Sequence, residues 1–497
     1  MIAELGTGFG SNTALAAPGR IALSYNDLAI QVERTARDLK KLAYKKSDVI
    51  GVVLPNGPEL ASAFLSISAG AVFAPLNPAY SLVEFRFFLE DLHASALLAI
   101  PGFCPAAEEA ARSLSIPLLE LKAQVDRAAG TFTLDGELRR PRPVTEAGVD
   151  DDNALMLHSS GTTARPKLVG LTHRNLCASA RSIASTLKLS PLDRGLNVMP
   201  LFHVHGLAGS LLSSISAGAS VYCAPGFDSL RLARWLEDSE ATWYSAVPTM
   251  HQALLSRAKE RTGVESRTLR FVRSSSAHLH TTVWQEMEAR MKCPVLNAYG
   301  MTEAAHQVAS NPLPPGERKY GSTGPSAGCE TVILNESAEP QPAGVTGEVG
   351  IRGSNVARGY LSPKEANDSA FSNGWFRTGD QGVIDSDGYV TLTGRLKEVI
   401  NCGGEKISPA EIDAVLMQHP SVSQAVAFSV RCKMRGERVC AAVILKGPAS
   451  ELELKNFARE RLAPFKVPSR VVVLAEIPKG PTGKMQRIGM AARLGIE

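Results

Sequence analysis

The chain has 497 residues, 44% hydrophobic and 21% charged, with 53 Lys plus Arg against 49 Asp plus Glu for a net charge of +4. This length predicts roughly two to four domains and a core large enough to stand without disulfides or metal clips. A charge so close to neutral for this length argues against a nucleic-acid or membrane-surface binder, which concentrates basic residues in patches. The cysteines are scattered and form no CxxC pair, so neither a zinc site nor a disulfide framework is expected, and a reducing compartment is. MIAELGTGFGSN lacks the basic stretch and apolar run of a secretory signal, and ARLGIE is not an SKL-type address. These features predict a cytoplasmic protein with no membrane span; they leave the oligomeric state open.

In chain order, Leu28 to Leu42 carries apolar residues near helical spacing and predicts an amphipathic helix. Val49 to Leu54 predicts a buried strand, closed by the turn Pro55-Asn56-Gly57. A helix is expected over Ala61 to Ala71 and a strand over Ala96 to Ile100. Leu60 to Val83 and Pro200 to Phe227 carry no charge but are broken by Pro, Gly, Ser, Asn or His, which predicts buried α/β core. Strands alternating with helices predict parallel sheets, and a second such stretch runs from Gly195 to about Ala298. From about Gly321 the segments are short and β-like: Gly347 to Arg352, Gly382 to Asp385, Tyr389 to Thr393. After Gly394 come helices at Pro409 to Gln418, with Ser408 as N-cap, and Leu452 to Leu462, and strands at Val422 to Ser429 and Val439 to Leu445. The expected fold is therefore α/β. Residues 1–394 would form an N-terminal domain of two α/β subdomains plus a β-rich one, and residues 395–497 a small α+β domain.

Four segments carry chemistry. Ser159-Ser160-Gly161-Thr162-Thr163 packs hydroxyls and a glycine after an apolar run, with Lys167 close behind. Hydroxyls donate to phosphate oxygens and glycine lets backbone N–H groups approach them; a Ser/Thr-rich surface turn is the plainer alternative. It is not a Walker A loop, whose GxxxxGK[ST] spacing is absent. Tyr299-Gly300-Met301-Thr302-Glu303 follows a strand-like run, where ligands of open α/β sheets gather. There Tyr299 can stack on a base, Thr302 touch a phosphate and Glu303 hold Mg²⁺. Arg377-Thr378-Gly379-Asp380, with Gly394-Arg395, offers a carboxylate for ribose hydroxyls and a planar guanidinium. Pro481-Thr482-Gly483-Lys484-Met485-Gln486-Arg487 sets a lysine on a Gly/Pro loop.

In this order, over nearly the whole chain, the segments resemble the adenylate-forming superfamily: acyl-CoA synthetases, peptide-synthetase adenylation domains and firefly-type luciferases. SSGTTARPK matches its phosphate loop, YGMTE its adenine and Mg²⁺ motif, RTGD its ribose motif, GRLKEVINCGGEKISP its hinge motif and PTGKMQR its catalytic-lysine motif. The resemblance implies that Ser159, Ser160, Gly161, Thr162, Thr163 and Lys167 hold the phosphates. It places Tyr299, Asp380 and Arg395 on the nucleoside, Thr302 and Glu303 at the reaction with Glu303 on the metal, and Lys484 as the catalytic cation. Lys397 is implied as the hinge of a mobile C-terminal domain, and Gly403 and Gly404 as the lining of the thiol's tunnel. ATP, Mg²⁺ and coenzyme A are the implied partners of a small carboxylic acid. Leu168 departs from the glycine that often follows the lysine.

Within the superfamily the chain resembles the oxalate–CoA ligases, through MPLFHVHGL, ATWYSAVPTMHQ, LRFVRSSSA and AYGMTEAAHQVASNPLPPG. That resemblance implies that His203, Ser276 and His306 hold a small diacid, with a histidine beside a carboxylate able to become cationic. His205 is expected to pack beneath them. His278 and His280 form an HxH pair with no joining ligands, so no metal is assigned there; His278 stands where relatives often have a small residue. A ligase for another short or aromatic acid is the alternative. A peptide-synthetase module, with no carrier domain after Glu497, and a non-catalytic nucleotide-binding protein are the weaker readings.

Overall fold

Most of each long uncharged run of the sequence is buried in strand or helix. The computed structural model describes residues 6–139, 153–159, 166–258, 268–402, 405–432, 436–478 and 487–496. They fall into two compact units, one holding the described residues up to Thr331 together with Ile351–Phe376, the other Val332–Gly350 and the described residues from Arg377 onward.

The first unit is built on two eight-stranded sheets. In one, Val49–Val53, Val72–Pro75, Ala96–Ala99, Leu118–Ala123 and Asn153–Ser159 form a parallel core, extended antiparallel by Lys167–Thr172, Tyr360–Ser362 and Phe132–Gly136. Strands buried on both faces read as continuous apolar runs, which is why VIGVV is legible. In the other, Thr13–Ala16, Ser220–Cys223, Arg194–Asn197, Trp243–Ala246, Phe271–Ser274 and Val295–Met301 run parallel, flanked antiparallel by Leu23–Ser24 and His306–Ser310. The amphipathic helix is Tyr25–Lys41, three residues longer at its start than the spacing shows, because Ser24 caps it by accepting from the Asp27 amide. The helix expected from Ala61 begins at Pro58, directly after Gly57; proline suits a first helical turn.

The uncharged stretch after Pro200 holds a π-helix, His205–Leu212, running into a short α-helix, Ser213–Ser216. Gly206 lies where a side chain would meet the Pro200 carbonyl at 2.4 Å. Single π turns gather at functional sites.

In the second unit Val390–Arg395 pairs antiparallel with the strand ending at Ile384. A second sheet joins Ile400–Cys402, Glu405–Ile407, the long hairpin Val422–Cys432 with Gly436–Leu445, and the parallel strand Arg470–Val473. Helices Pro409–Leu416 and Glu451–Arg459 cover it. Ser408 holds the N-cap position but makes no side-chain cap; its hydroxyl donates instead to the Thr393 carbonyl.

Candidate active site

Ser159 lies opposite Lys167 across the antiparallel pair Asn153–Ser159 and Lys167–Thr172, so these two residues mark the described ends of the hydroxyl-rich segment. Ser160, Gly161, Thr162 and Thr163 lie outside the described residues. The Ser159 hydroxyl is buried and has no partner among the described residues. An unmet buried hydroxyl costs about 1–3 kcal/mol, so the position suits a ligand oxygen. Lys167 Nζ stands 4.2 Å from the centre of the Tyr360 ring, and Tyr360 donates its hydroxyl to Glu303 Oε1 at 2.9 Å. Tyr360 thus links the phosphate-loop lysine to the carboxylate of YGMTE. Burial, reinforced by the Glu303 charge, raises its phenol well above the usual range, so it stays a donor. Leu168 is buried in the apolar core of its sheet, so the departure from glycine is filled by packing.

Val295–Met301, paired with Phe271–Ser274 on one side and His306–Ser310 on the other, carries Tyr299 and Gly300 near its C-terminal end. A side chain on Gly300 would meet the His306 carbonyl at 2.0 Å, so only glycine fits. Thr302–Ala304 then makes a 3₁₀ turn, and Ala305 and His306 take φ of 47° and 100°. Such backbone is uncommon for residues with a side chain and must be held by its surroundings. Here Ser179 donates to the Ala305 carbonyl at 2.6 Å, and Asn355 Nδ2 to the carbonyls of Ala304 and Gln307 at 3.0 and 2.9 Å. Glu303 is buried with Oε1 fixed by Tyr360. Among the described residues no three His, Cys, Asp or Glu side chains gather as a metal site. One ordered carboxylate suits Mg²⁺, which takes one or two carboxylates plus substrate phosphates and water.

Two of the residues expected to hold the acid, Ser276 and His306, meet around a histidine that the sequence placed only beneath them. His205, first in the π-helix, bonds Ser276 Oγ through Nδ1 at 3.0 Å and Ser245 Oγ through Nε2 at 2.7 Å. Its ring stacks on His306, centroids 4.8 Å apart. Gly209, one π turn on, makes room for this: a side chain there would stand 2.4 Å from the His306 ring. His306 Nε2 in turn lies 2.8 Å from the guanidinium of Arg273, whose other amino group donates to Gln307 Oε1 at 3.0 Å. A guanidinium only donates, so Nε2 accepts and His306 is neutral. At His306 the facing charge is the Arg273 guanidinium. The His203 ring lies 4.7 Å from that of Phe202. His278 and His280 lie edge to face at 4.8 Å. Arg273, Tyr360 and the bridging role of His205 went unread in the sequence; an arginine inside the apolar strand FVRS was the available signal.

In the second unit Asp380 is paired directly with Arg395 across its ladder, Oδ1 3.0 Å from Nε. Asp380 is buried while the arginine side chain is 45% exposed. Lys397 sits exposed in the 3₁₀ turn Leu396–Glu398. Glu398 Oε2 lies 3.1 Å from Arg487 Nε, and Arg487 also pairs with Asp413 of the helix Pro409–Leu416. Gly403, Gly404 and Lys484 lie outside the described residues.

The AMP-binding enzyme family matches residues 4–361, and the AMP-binding enzyme C-terminal domain matches residues 411–484. An oxalate–CoA ligase of Arabidopsis thaliana is 43% identical, covering 96% of this chain and 95% of its own length. An oxalate–CoA ligase of Saccharomyces cerevisiae is 39% identical, covering 89% and 86%. Among solved structures, o-succinylbenzoate coenzyme A synthetase from Bacillus subtilis, in complex with ATP and magnesium ion, superposes with a TM-score of 0.83 at 27% identity, covering 98% of both chains. This chain therefore belongs to the AMP-binding enzyme family, with its large N-terminal and smaller C-terminal domain. It is an acid–thiol ligase of the acyl-CoA synthetase class.

Proposed function

We propose that the chain is an ATP- and Mg²⁺-dependent oxalate–CoA ligase. A free carboxylate is a poor acylating group, because its leaving group would be oxide. Transfer of AMP from ATP supplies a better one and releases pyrophosphate; the thiol of coenzyme A then displaces AMP. Catalysis of this kind is mostly positioning and neutralisation of phosphate charge. In this reading Ser159, Ser160, Gly161, Thr162, Thr163 and Lys167 hold the phosphates, Glu303 the metal, and Thr302 the reacting phosphate. Tyr299, Asp380 and Arg395 hold the nucleoside, and Lys484 bridges carboxylate and α-phosphate. Residues 395–497 turn about Lys397 to bring Gly403 and Gly404 to the thiol.

The observation that carries the acid assignment is the polar line Ser276–His205–His306–Arg273, buried from His205 inward. The line is paired within the protein, and an acid carrying a second polar group matches such a polar lining better than an apolar acid does. His203 is assigned to the same pocket by resemblance. The two oxalate–CoA ligases among its relatives support the reading. Among the described residues no helix is long and apolar enough to cross a membrane. All eight cysteines are thiols with no disulfide, which supports a reducing, cytoplasmic location. Pyrophosphate release with oxalate, malonate, acetate, octanoate and 4-coumarate, each with and without coenzyme A, tests the proposal. Preference for octanoate or 4-coumarate would leave the ligase class standing and remove oxalate.

A further inference from the structure

Arg273 is one of the largest fully buried side chains of the protein, at 0% exposure, on a strand with neighbours on both sides. A buried cation is normally paired with a carboxylate. Arg273 is not: its side-chain partners among the described residues are the neutral acceptors His306 Nε2 and Gln307 Oε1, and its Nε is buried with no partner. Burial pushes its pKa down to about 9, which still leaves it charged at neutral pH, and no carboxylate acts to raise it. The charge is thus held in the protein without compensation, one side chain behind a residue of the proposed acid pocket.

Its neighbour converts this into a directional device. With Nε2 accepting from the guanidinium, the proton of neutral His306 must sit on Nδ1. Nδ1 lies beside Gly300, 2.9 Å from where a side chain on that glycine would begin. The missing side chain lets the His306 backbone close in beside the ring, its carbonyl 2.0 Å from where that side chain would begin.

We propose that Arg273 is a positioning residue for acid selection: it locks His306 as the Nδ1–H tautomer and supplies the unpaired positive charge that makes the pocket favour an acid carrying a second negative group. This rests on the dicarboxylate reading given above. Uncharged acids of the same size gain nothing from that field, and a monocarboxylate spends its one charge at the reacting phosphate.

The test uses the full-length enzyme with ¹⁵N-labelled histidine, the His306 signals being assigned by their loss in His306→Gln. The expected result is a neutral Nδ1–H tautomer between about pH 6 and pH 8. In Arg273→Met that signature should give way to mixed tautomers or ordinary titration. The same variant should lose about 100-fold in kcat/KM for oxalate, with KM for ATP and the low kcat/KM for acetate changed less than about 3-fold, on the order of a lost surface contact. Arg273→Lys should recover part of the oxalate activity. A proton on Nε2 of the wild-type enzyme, or equal loss for oxalate and acetate in Arg273→Met, would overturn the proposal. The wild-type tautomer decides the question even where Arg273→Met does not fold. A wild-type preference for acetate over oxalate would instead remove the dicarboxylate reading, a result the tautomer does not touch.

Discussion

His205 and His306 lie face to face, their ring planes 19° from parallel, and His205 ties that stack to Ser245 on the strand Trp243–Ala246 and to Ser276 just past the end of the strand Phe271–Ser274. The stack couples the start of the π-helix to the turn after YGMTE.

Removing the middle of this line should cost stability as well as activity. His205→Ala opens a cavity under His306 and leaves the Ser245 and Ser276 hydroxyls without their imidazole partner. Thermal or denaturant unfolding should show a loss of roughly 2–4 kcal/mol. Ser276→Ala should be milder, losing about 1–3 kcal/mol of transition-state binding for oxalate with KM for ATP unchanged. A Ser276→Ala enzyme weakened equally toward every acid would show that this hydroxyl does not hold the substrate.

The pair Asp380–Arg395 separates binding from stability. Its arginine side chain is 45% exposed, so the ion pair contributes at most about 1 kcal/mol to folding. Asp380→Asn and Arg395→Gln should therefore unfold within a few degrees of the parent. Their KM for ATP should rise about 10- to 100-fold if they hold the ribose. Unaltered ATP kinetics would remove both residues from the nucleotide site.

Lys484 and Lys397 belong to different halves of the reaction. Lys484→Ala should abolish oxalate-dependent pyrophosphate release yet still form oxalyl-CoA from supplied oxalyl-adenylate. Lys397→Pro fixes φ in the exposed turn and should slow the thioester step more than the first. Rapid-quench measurement of each half-reaction checks both. Equal loss in the two steps for Lys484→Ala would make that lysine structural.

His251 gives the protein a pH-dependent component of stability. It is buried against the Tyr244 hydroxyl, and burial lowers its pKa from 6.5 to about 4. Above about pH 6.5 it is neutral whether folded or unfolded. Between there and about pH 4 the unfolded chain takes a proton that the folded chain refuses, so stability falls as pH falls. At pH 5 the loss is about 2 kcal/mol. His251→Asn should remove that slope from a series of denaturation curves between pH 7 and pH 5. An unchanged slope would assign the acid sensitivity to other groups.

The parallel sheets were legible because strands such as Val49–Val53 and Ala96–Ala99 are apolar on both faces and bounded by turn residues. The YGMTE turn was legible because Gly300 answers a steric demand that no other residue meets. The π-helix was not. An uncharged run with buried faces all round has no periodicity to distinguish five-residue from four-residue hydrogen bonding. Arg273 and Tyr360 escaped for a different reason. Each acts through contacts made across the fold, Arg273 with His306 and Gln307, Tyr360 with Glu303 and Lys167, and no local pattern announces partners so distant in the chain. Ser408 is a partial match: it holds the N-cap position that its place before Pro409 suggests, but the Thr393 carbonyl takes its hydroxyl.

The π-helix also sets how the pocket can change over generations. A π turn holds one residue more than an α turn, so deleting a single codon within Gly206–Leu212 would let the segment relax to α geometry. With one residue fewer closing the turn, the two ends of the segment would keep nearly the same angle. The residue lost would come from the stretch that carries Gly209, whose missing side chain leaves room for the His306 ring. A single deletion here would therefore act on the support of His306 while the strands on either side kept their register.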